Sequence, residues 1–311
     1  MDACAFNIER RDNLSYEEFA HRHLYPLRPV IITDALNRWP ARQRWTPEFF
    51  KGNFGGVEFA SYGAEYEQYQ TSSAEVSIFK LSDYIDKVVS ASEQQPVPYL
   101  RNKILAEVFP SLIKDVEPLP EYLFPNWLGE SYVVKHVEKV LKRGGKLELF
   151  IGGAGSAFPV LHYDSAGTHA FLMQIYGRKE FVLYPPDQEI FMYPVPGTEN
   201  HSLVNVAHPD LTKYPLFAKA IPVRFVLEPG EMLFVPSHWW HTTRMLTASI
   251  TVAANVLNGS NWHELIRFVA RRRRNALVSI ASRIYLTGAG AWRSWRDRKW
   301  RDRLERYVHA H

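Results

Sequence analysis

A histidine and an aspartate stand two residues apart in the stretch FPVLHYDSAGTH, residues 158–169. Side chains at positions i and i+2 of a β-strand point to the same face, so His162 and Asp164 would project together while Tyr163 faces the other way. An imidazole beside a carboxylate can bind a metal ion or form a His–carboxylate pair. A core histidine beside an unrelated acid would give the same short pattern, so the interpretation depends on a further ligand elsewhere.

A second stretch, VPSHWWHTT at residues 235–243, supplies His238 and His241 just before another predicted strand. A His-x-Asp pair plus one distant histidine is the pattern of the 2-His-1-carboxylate facial triad, which leaves positions open on one face of a non-haem Fe(II). A cosubstrate can chelate at two open positions while dioxygen takes another. The only cysteine, Cys4, excludes a cysteine-rich zinc site, so metal ligands here must be nitrogen and oxygen atoms.

The composition is typical of a globular protein, since 46% of the 311 residues are hydrophobic and 14% are aromatic. The first dozen residues lack the apolar region of a signal peptide, and no run approaches the roughly 18 apolar residues of a membrane span. The net charge of +4 is unevenly distributed, because residues 261–311 carry 13 Lys and Arg against 4 Asp and Glu. We expect a soluble, intracellular, most simply cytoplasmic protein with a basic C-terminal region.

The first half of the chain mixes short helices with strand-like pieces. Ser15 and Glu18 form a capping box, and Thr46 followed by Pro47 indicates a helix start. Ser82 is predicted to cap the helix DYIDKVV. The β-branched run at residues 29–36 predicts a strand, so this half is expected to form an α/β brace around the remainder.

From about residue 130 the pattern changes to short strands rich in β-branched and aromatic residues that end at Gly, Pro or Asp. Such punctuation favours a sandwich or barrel. The connection from Pro185 to Pro222 is long, and connections of that length tend to be functional. The predicted strands cover residues 146–152, 158–164, 170–177, 179–186, 223–230, 231–237 and 248–256.

Beyond Asn261 the pattern is helical again, with a predicted break at TGAGA, residues 287–291. The apolar residues Trp292, Trp295, Trp300 and Leu304 form one predicted stripe on a basic helix. We therefore divide the chain into a domain at residues 1–260, with the barrel core at about 130–258, and a basic helical region at 261–311.

Several blocks of sequence resemble the jumonji-C (JmjC) hydroxylases, and most of all the subgroup of the asparaginyl hydroxylase of hypoxia-inducible factor and related cupin-like proteins. They occur in family order over roughly residues 8–258. The blocks are LRPVIITDALNRWPARQRWTPEFF, GSAFPVLHYD, QIYGRKEFVLYPPDQ, YPVP, LEPGEMLFVPSHWWH and ASITVAANV. The resemblance implies a cupin double-stranded β-helix (jelly-roll) barrel that binds Fe(II) and uses 2-oxoglutarate and dioxygen.

Carried over by position, the resemblance makes His162, Asp164 and His241 the metal ligands and catalytic residues. It implies that Lys179 pairs with the distal carboxylate of 2-oxoglutarate and that Tyr99 hydrogen-bonds the same group. A buried carboxylate requires such partners. Taken alone, Lys179 is more simply interpreted as a lysine at a strand edge.

Several further positions bear on the pocket. Asn255 matches an asparagine near the metal, although a strand-end amide bonded to backbone is the simple alternative. The subgroup's Thr-Pro before the first ligand is absent, so Thr168 or Ser156 would have to supply the hydroxyl for 2-oxoglutarate. Leu172 stands where an asparagine often faces the metal, which predicts a more apolar wall. His238 is expected at the surface or behind the metal ligands.

The resemblance implies hydroxylation of a side chain of a protein or peptide substrate, with release of succinate and CO2. Two alternatives stay open: a small-molecule oxygenase, and a non-catalytic metal-binding cupin whose basic tail holds an anionic partner. The subgroup implies a homodimer through the C-terminal helices. The arginine run at residues 271–274 could instead bind nucleic acid or an anionic membrane.

Overall fold

A computed structural model describes residues 7–62, 76–129, 146–198, 200–272 and 276–308. The strands are β1 Glu9–Arg11, β2 Val30–Ile32, β3 Glu58–Tyr62, β4 Val76–Lys80, β5 Leu100–Ile104, β6 Glu148–Gly152, β7 His169–Tyr176, β8 Lys179–Tyr184, β9 Val223–Leu227, β10 Met232–Val235, β11 Trp240–Met245 and β12 Ser249–Val256. The α-helices are α1 Tyr16–Phe19, α2 Ala41–Arg44, α3 Pro47–Phe54, α4 Leu81–Ser90, α5 Leu105–Val108, α6 Trp262–Arg272 and α7 Ala276–Val308. Among the described residues, none of the helices combines the length and apolar character needed to cross a membrane.

Two sheets form the barrel. The larger has the order β1-β2-β10-β7-β12-β6-β5, and the smaller has the order β11-β8-β9. An extended segment at residues 157–162 adds to the free edge of β11 through bridges from Ala157 to Arg244 and from His162 to His241. From β6 onward the chain thus passes back and forth between the two sheets, with β8 and β9 as consecutive strands of the smaller one. This order confirms the predicted double-stranded β-helix with flanking helices.

The N-terminal elements brace the larger sheet from its edges and one face. Strand β2 pairs antiparallel with β10, and β5 pairs antiparallel with β6. The main hydrophobic core lies where side chains of this half meet the sheet, as Phe19 does against Phe171 and Phe234. Phe19 is held in α1, which continues into a π-helical turn at Ala20–Leu24.

The predicted caps have different outcomes. Ser15 Oγ accepts a hydrogen bond from Glu18 N at 3.1 Å, and Thr46 Oγ1 accepts one from Phe49 N at 3.1 Å, so both helix starts are confirmed. The Ser82 cap is wrong, because α4 begins at Leu81, two residues before the predicted start at Asp83, and the Ser82 hydroxyl donates to the Asp83 carboxylate instead.

Two strand predictions around the candidate ligands are corrected. His241 does not precede a strand but lies within β11, which the sequence patterns missed. Residues 158–164 form an extended segment with isolated bridges rather than a regular strand. Pro159 has no backbone N–H to donate there, so a continuous ladder is not available.

The C-terminal region forms two helices, but the predicted break at residues 287–291 is wrong because α7 runs through it. The glycines serve a close approach between helices instead. A Cβ at Gly290 would overlap the indole of Trp262 on α6, whereas Gly288 faces open space. The Trp262 Nε1 also donates to Leu286 O at 2.7 Å, which fixes α7 against α6.

The face of α7 that meets the barrel is not the predicted tryptophan stripe. Arg293 is buried, with its guanidinium 5.9 Å from the ring centroid of Trp127 and 5.5 Å from that of Trp262. Trp127 Nε1 donates to Asp297 Oδ2 at 2.8 Å. Trp292 and Trp295 are 56% and 48% exposed. The side chains of Trp300 and Leu304, and the barrel residues 130–145, lie outside the described part of the chain.

The two glycines of α7 give a matched pair of substitutions. Gly290→Ala is expected to destabilise the protein by about 1–3 kcal/mol, because its methyl group overpacks the contact with Trp262. Gly288→Ala is expected to stabilise it by up to about 1 kcal/mol through helix propensity. Thermal unfolding of both variants measures this difference. Equal midpoints for the two variants would contradict the packing of α7 on α6.

Candidate active site

Three potential ligands come together at one end of the barrel. One ligand atom each from His162, Asp164 and His241 lie within 4.8 Å of one another. Backbone pairing holds the two histidines side by side, since His162 N donates to His241 O at 3.1 Å and His241 N donates to His162 O at 2.6 Å. The barrel thereby joins residues 79 positions apart in sequence, a pairing that spacing alone does not reveal.

Backbone carbonyls fix the orientation of both imidazoles. His162 Nδ1 lies 3.1 Å from Val160 O, and His241 Nδ1 lies 3.0 Å from Trp239 O. A carbonyl accepts only, so each Nδ1 carries the proton and each Nε2 keeps its lone pair. This is the outer hydrogen bond that orients metal-bound histidines in other proteins.

The electrostatics of the three groups suit a cation. Burial lowers the pKa of His162 well below its ordinary value, and neighbouring His241 lowers it further. Burial raises the pKa of Asp164, although His241 and a hydrogen bond from Asn255 partly offset this effect. A neutral imidazole is a ligand, and a divalent ion would stabilise the buried carboxylate in its charged form. The donor set therefore fits a divalent metal.

A buried lysine lies deeper in the same barrel. Lys179 is 2% exposed, and its Nζ donates to Tyr99 Oη at 2.7 Å and to Thr251 Oγ1 at 3.2 Å. Burial lowers the pKa of Lys179 to about 7. Within the described ranges of the chain, no carboxylate forms an ion pair with this ammonium group. A buried cation with only hydroxyl partners is suited to an anionic ligand.

The walls around Lys179 are aromatic. Its Nζ lies 5.2 Å from the ring centroid of Tyr99 and 5.7 Å from those of Phe150 and Phe181. A Cβ at Gly152 would stand 3.0 Å from the ring of Tyr99, so a larger residue there would press on this ring. The Lys179 ammonium group therefore has the hydroxyls of Tyr99 and Thr251 as hydrogen-bond partners and aromatic rings around it.

The hydroxyl beside Lys179 differs from both candidates considered from the sequence. It belongs to Thr251, which also donates to Gln174 Oε1 at 2.8 Å. Ser156 Oγ donates to Val97 O at 2.8 Å, and Thr168 Oγ1 accepts from Asn255 Nδ2 at 3.1 Å. Neither of these hydroxyls bonds to Lys179. Alternation along β12 was the available signal, since residues 251 and 255 share one face.

Asn255 and Thr168 instead belong to the end of the barrel that holds Asp164. Asn255 bonds both to Thr168 and to the Asp164 carboxyl group, so it bridges the turn that follows this aspartate. Leu172 packs with the cluster that contains Tyr99 and Phe150, which makes this wall apolar.

Other histidines have structural surroundings. His238 is half-buried, pairs through Nε2 with a Glu264 oxygen at 3.0 Å and stacks on Tyr163, so it lies behind the ligand-bearing segment. His169 is fully buried on β7, with Nε2 2.8 Å from Ser260 Oγ. His169 therefore has a structural role in the barrel core.

Phe158 was also missed from the sequence. Its ring stacks on the imidazole of His162 with centroids 4.4 Å apart, and the Arg101 guanidinium lies 5.1 Å from the centroid of Phe158. Phe158 thereby shields one side of a candidate ligand from water.

The strand order is that of a cupin barrel, and the His–Asp–His triad is a candidate metal centre within it. A family model described as "Cupin-like domain" matches residues 16–263, and the chain belongs to this family. One relative is the JmjC domain-containing protein D of Dictyostelium discoideum, which is 27% identical over 76% of this chain and 53% of its own length.

Two further relatives have names that include an activity. Lysine-specific demethylase 8 of Danio rerio is 30% identical over 77% of this chain and 55% of its own length. The 2-oxoglutarate and iron-dependent oxygenase JMJD4 of Homo sapiens is 28% identical over 82% of this chain and 62% of its own length. The chain spans about half the length of several of these relatives.

Proposed function

We propose that this protein is an Fe(II)- and 2-oxoglutarate-dependent oxygenase that hydroxylates a side chain of a protein or peptide substrate. One observation carries the proposal: a His–Asp–His triad whose ligand atoms lie within 4.8 Å shares its barrel with a buried lysine bonded only to hydroxyls. A metal site alone would fit many cupins. The second, cationic site fits a ligand with a distal carboxylate.

In this proposal His162, Asp164 and His241 hold the iron, and Lys179 with its hydroxyl partners binds the distal carboxylate of 2-oxoglutarate. When bound, iron, 2-oxoglutarate and dioxygen together supply the oxidation of a C–H bond, with succinate and CO2 as coproducts. The carbonyls of Val160 and Trp239 keep the imidazole Nε2 atoms available. The apolar walls exclude water from the pocket, which favours oxidation of the substrate over side reactions with water.

The nature of the substrate rests on the relatives. Those named lysine-specific and arginine-specific demethylases act, by name, on amino-acid side chains, which favours a protein or peptide over a free metabolite. Oxidation of an N-methyl group would give demethylation, whereas oxidation of a side-chain carbon leaves a hydroxyl group. The human relative is named an oxygenase rather than a demethylase, which favours oxidation of a side-chain carbon. Membership in the subgroup of the asparaginyl hydroxylase stays a prediction.

The test uses the purified full chain with Fe(II), ascorbate, dioxygen and 2-oxoglutarate, with and without a peptide library. We expect slow succinate formation without peptide and faster formation with a substrate peptide that gains one oxygen atom. Loss of a methylene from the peptide would identify a demethylase instead. Absence of succinate from a protein that binds both metal and 2-oxoglutarate would indicate a non-catalytic cupin.

We further expect a homodimer through α7. Its exposed apolar residues recur at spacings of three to eight, and Leu277, Ile280 and Ile284 are 77%, 53% and 70% exposed, with Trp292 farther along at 56%. A face of this kind is typical of a helix that packs on a partner. Nucleic acid or an anionic membrane is the alternative partner of the basic region.

Ile284→Glu is expected to convert the dimer to a monomer, because a charge would be buried at the centre of the apolar face. Light scattering after size exclusion measures the mass, which should fall from two chains to one. Ile190→Glu is the matched control, since Ile190 is 69% exposed on the 3₁₀-helix Pro186–Phe191 far along the chain from α7. A monomeric wild type would refute the dimer.

A further inference from the structure

A cavity of about 280 Å³ lies behind the ligand-bearing segment, where the barrel meets α6. The turn after Asp164 forms one side through Gly167, and the long insertion before β9 forms another through Thr198 and Asn200. Helix α6 closes the cavity with Arg267 and Arg271. Three separate parts of the chain thus converge on one concave site outside the barrel interior.

The charge of this cavity is positive because its one carboxylate is already paired. The side chain of Glu264 is only 12% exposed. Its carboxylate oxygens lie 3.0 Å from His238 Nε2, 2.8 Å from His263 Nε2 and 2.8 Å from Arg267 Nη1. Arg267 keeps 63% of its side chain exposed despite this contact. Arg267 therefore compensates the negative charge of Glu264, and Arg271 adds a positive charge at the rim.

A second cavity of about 320 Å³ adjoins the first and shares Arg267 and Arg271 with it. It adds Arg283 from α7, and no carboxylate lines it within the described part of the chain. Together the two cavities form one surface, here named the basic groove, that contains three arginines and one neutralised glutamate. A groove of this charge attracts anionic partners.

The basic groove lies next to the candidate metal centre. Tyr163, which lines the first cavity, stands between His162 and Asp164 in the chain. Asn200 Nδ2 donates to Tyr163 O at 2.9 Å, and the residue after Asn200 bridges to His162. A single extended segment therefore separates the groove from the triad, and a short stretch of peptide could contact both.

We propose that the basic groove binds an acidic segment of the substrate, a run of Asp or Glu residues near the side chain that is oxidised. This proposal rests on the proposed function, the oxidation of a side chain in a protein or peptide substrate. Arginine guanidinium groups bind carboxylates in a bidentate manner. The rings of Tyr163 and Phe268 offer apolar surface to the methylene groups of Glu, and Asn200 and Thr198 offer polar atoms to a peptide backbone.

The test measures binding of a fluorescein-labelled oligoglutamate to the full chain by anisotropy at low salt. Oligoglutamine of the same length and a single-stranded oligothymidylate of the same charge are the competitors. We expect oligoglutamate to bind best and to dissociate as salt is added. The double substitution Arg271→Gln with Arg283→Gln should weaken it about tenfold, if each exposed contact contributes near the middle of the usual range.

Arg224→Gln is the matched control, because Arg224 is an exposed arginine on β9 that does not line the groove, and its binding should equal the wild type. Unchanged affinity in the double variant would overturn the proposal, as would tighter binding of the oligothymidylate. Succinate formation is measured in parallel. If succinate does not form but oligoglutamate still binds, the proposed oxygenase function is refuted and the proposed role of the basic groove is not. If succinate forms normally but oligoglutamate does not bind, only the proposed role of the basic groove is refuted.

Discussion

Asp164→Ala is expected to lower the affinity for a divalent metal by at least about 100-fold, because even the loss of a group that merely orients a ligand costs 10–100-fold. Succinate formation should fall below detection with it. Two imidazoles remain in the variant, yet the charged oxygen ligand is gone. Titration with Mn(II), a redox-silent substitute for Fe(II), measures the affinity directly.

The same variant should fold normally without metal. Burial raises the pKa of Asp164, so the buried carboxyl group costs free energy in the metal-free protein and alanine removes that cost. Its metal-free unfolding midpoint should equal or exceed that of the wild type. Asp187→Ala, at an exposed position of the insertion, is the matched control and should bind Mn(II) normally. Wild-type metal affinity in Asp164→Ala would exclude this aspartate as a ligand.

Lys179→Met is expected to weaken 2-oxoglutarate binding by at least about 30-fold, since truncating one partner of a buried hydrogen-bonded charge pair costs roughly 2–5 kcal/mol. Metal affinity should stay unchanged, because Lys179 bonds to Tyr99 and Thr251 rather than to the triad. Calorimetric titration of 2-oxoglutarate into the Mn(II)-loaded protein measures the change. Lys219→Met, at an exposed position, is the matched control.

The pKa of Lys179 predicts a pH dependence. Burial lowers it from 10.5 to about 7, and only the ammonium form pairs with a carboxylate. The affinity for 2-oxoglutarate should therefore be highest below pH 7 and fall above it by up to about tenfold per pH unit. Without ligand, the unfolded state binds more protons than the folded state between pH 7 and 10.5, so stability rises with pH in that window. Both trends should be absent from Lys179→Met.

The fold and the triad were within reach of the sequence because their signals are local or ordered along the chain. Short strands with Gly and Pro at their ends indicated the barrel, and the His-x-Asp spacing put His162 and Asp164 together. The tertiary partner of that pair, His241, could be placed only by resemblance, since the β11 pairing that brings it close is long-range.

What the sequence patterns missed depends on packing. The glycines at residues 287–291 read as a helix break, yet Gly290 lets α7 approach Trp262, so a tertiary contact outweighed local propensity. The stripe predicted from Trp292 onward likewise does not form the packed face, because Arg293 is buried over two indole rings while Trp292 is exposed. Thr251 was overlooked because alternation places it on the same face of β12 as Asn255 but does not show that Lys179 lies beside it.

The central claim is that one barrel holds a metal and 2-oxoglutarate together. Thermal unfolding of the wild type with Mn(II), with 2-oxoglutarate and with both tests it most directly. At about 100 times its dissociation constant a ligand adds roughly 2.7 kcal/mol, which corresponds to a shift of about 5 °C. We predict a 2-oxoglutarate shift that requires Mn(II) and disappears in Asp164→Ala and in Lys179→Met. A shift that is absent, or that is the same without metal, would contradict the claim.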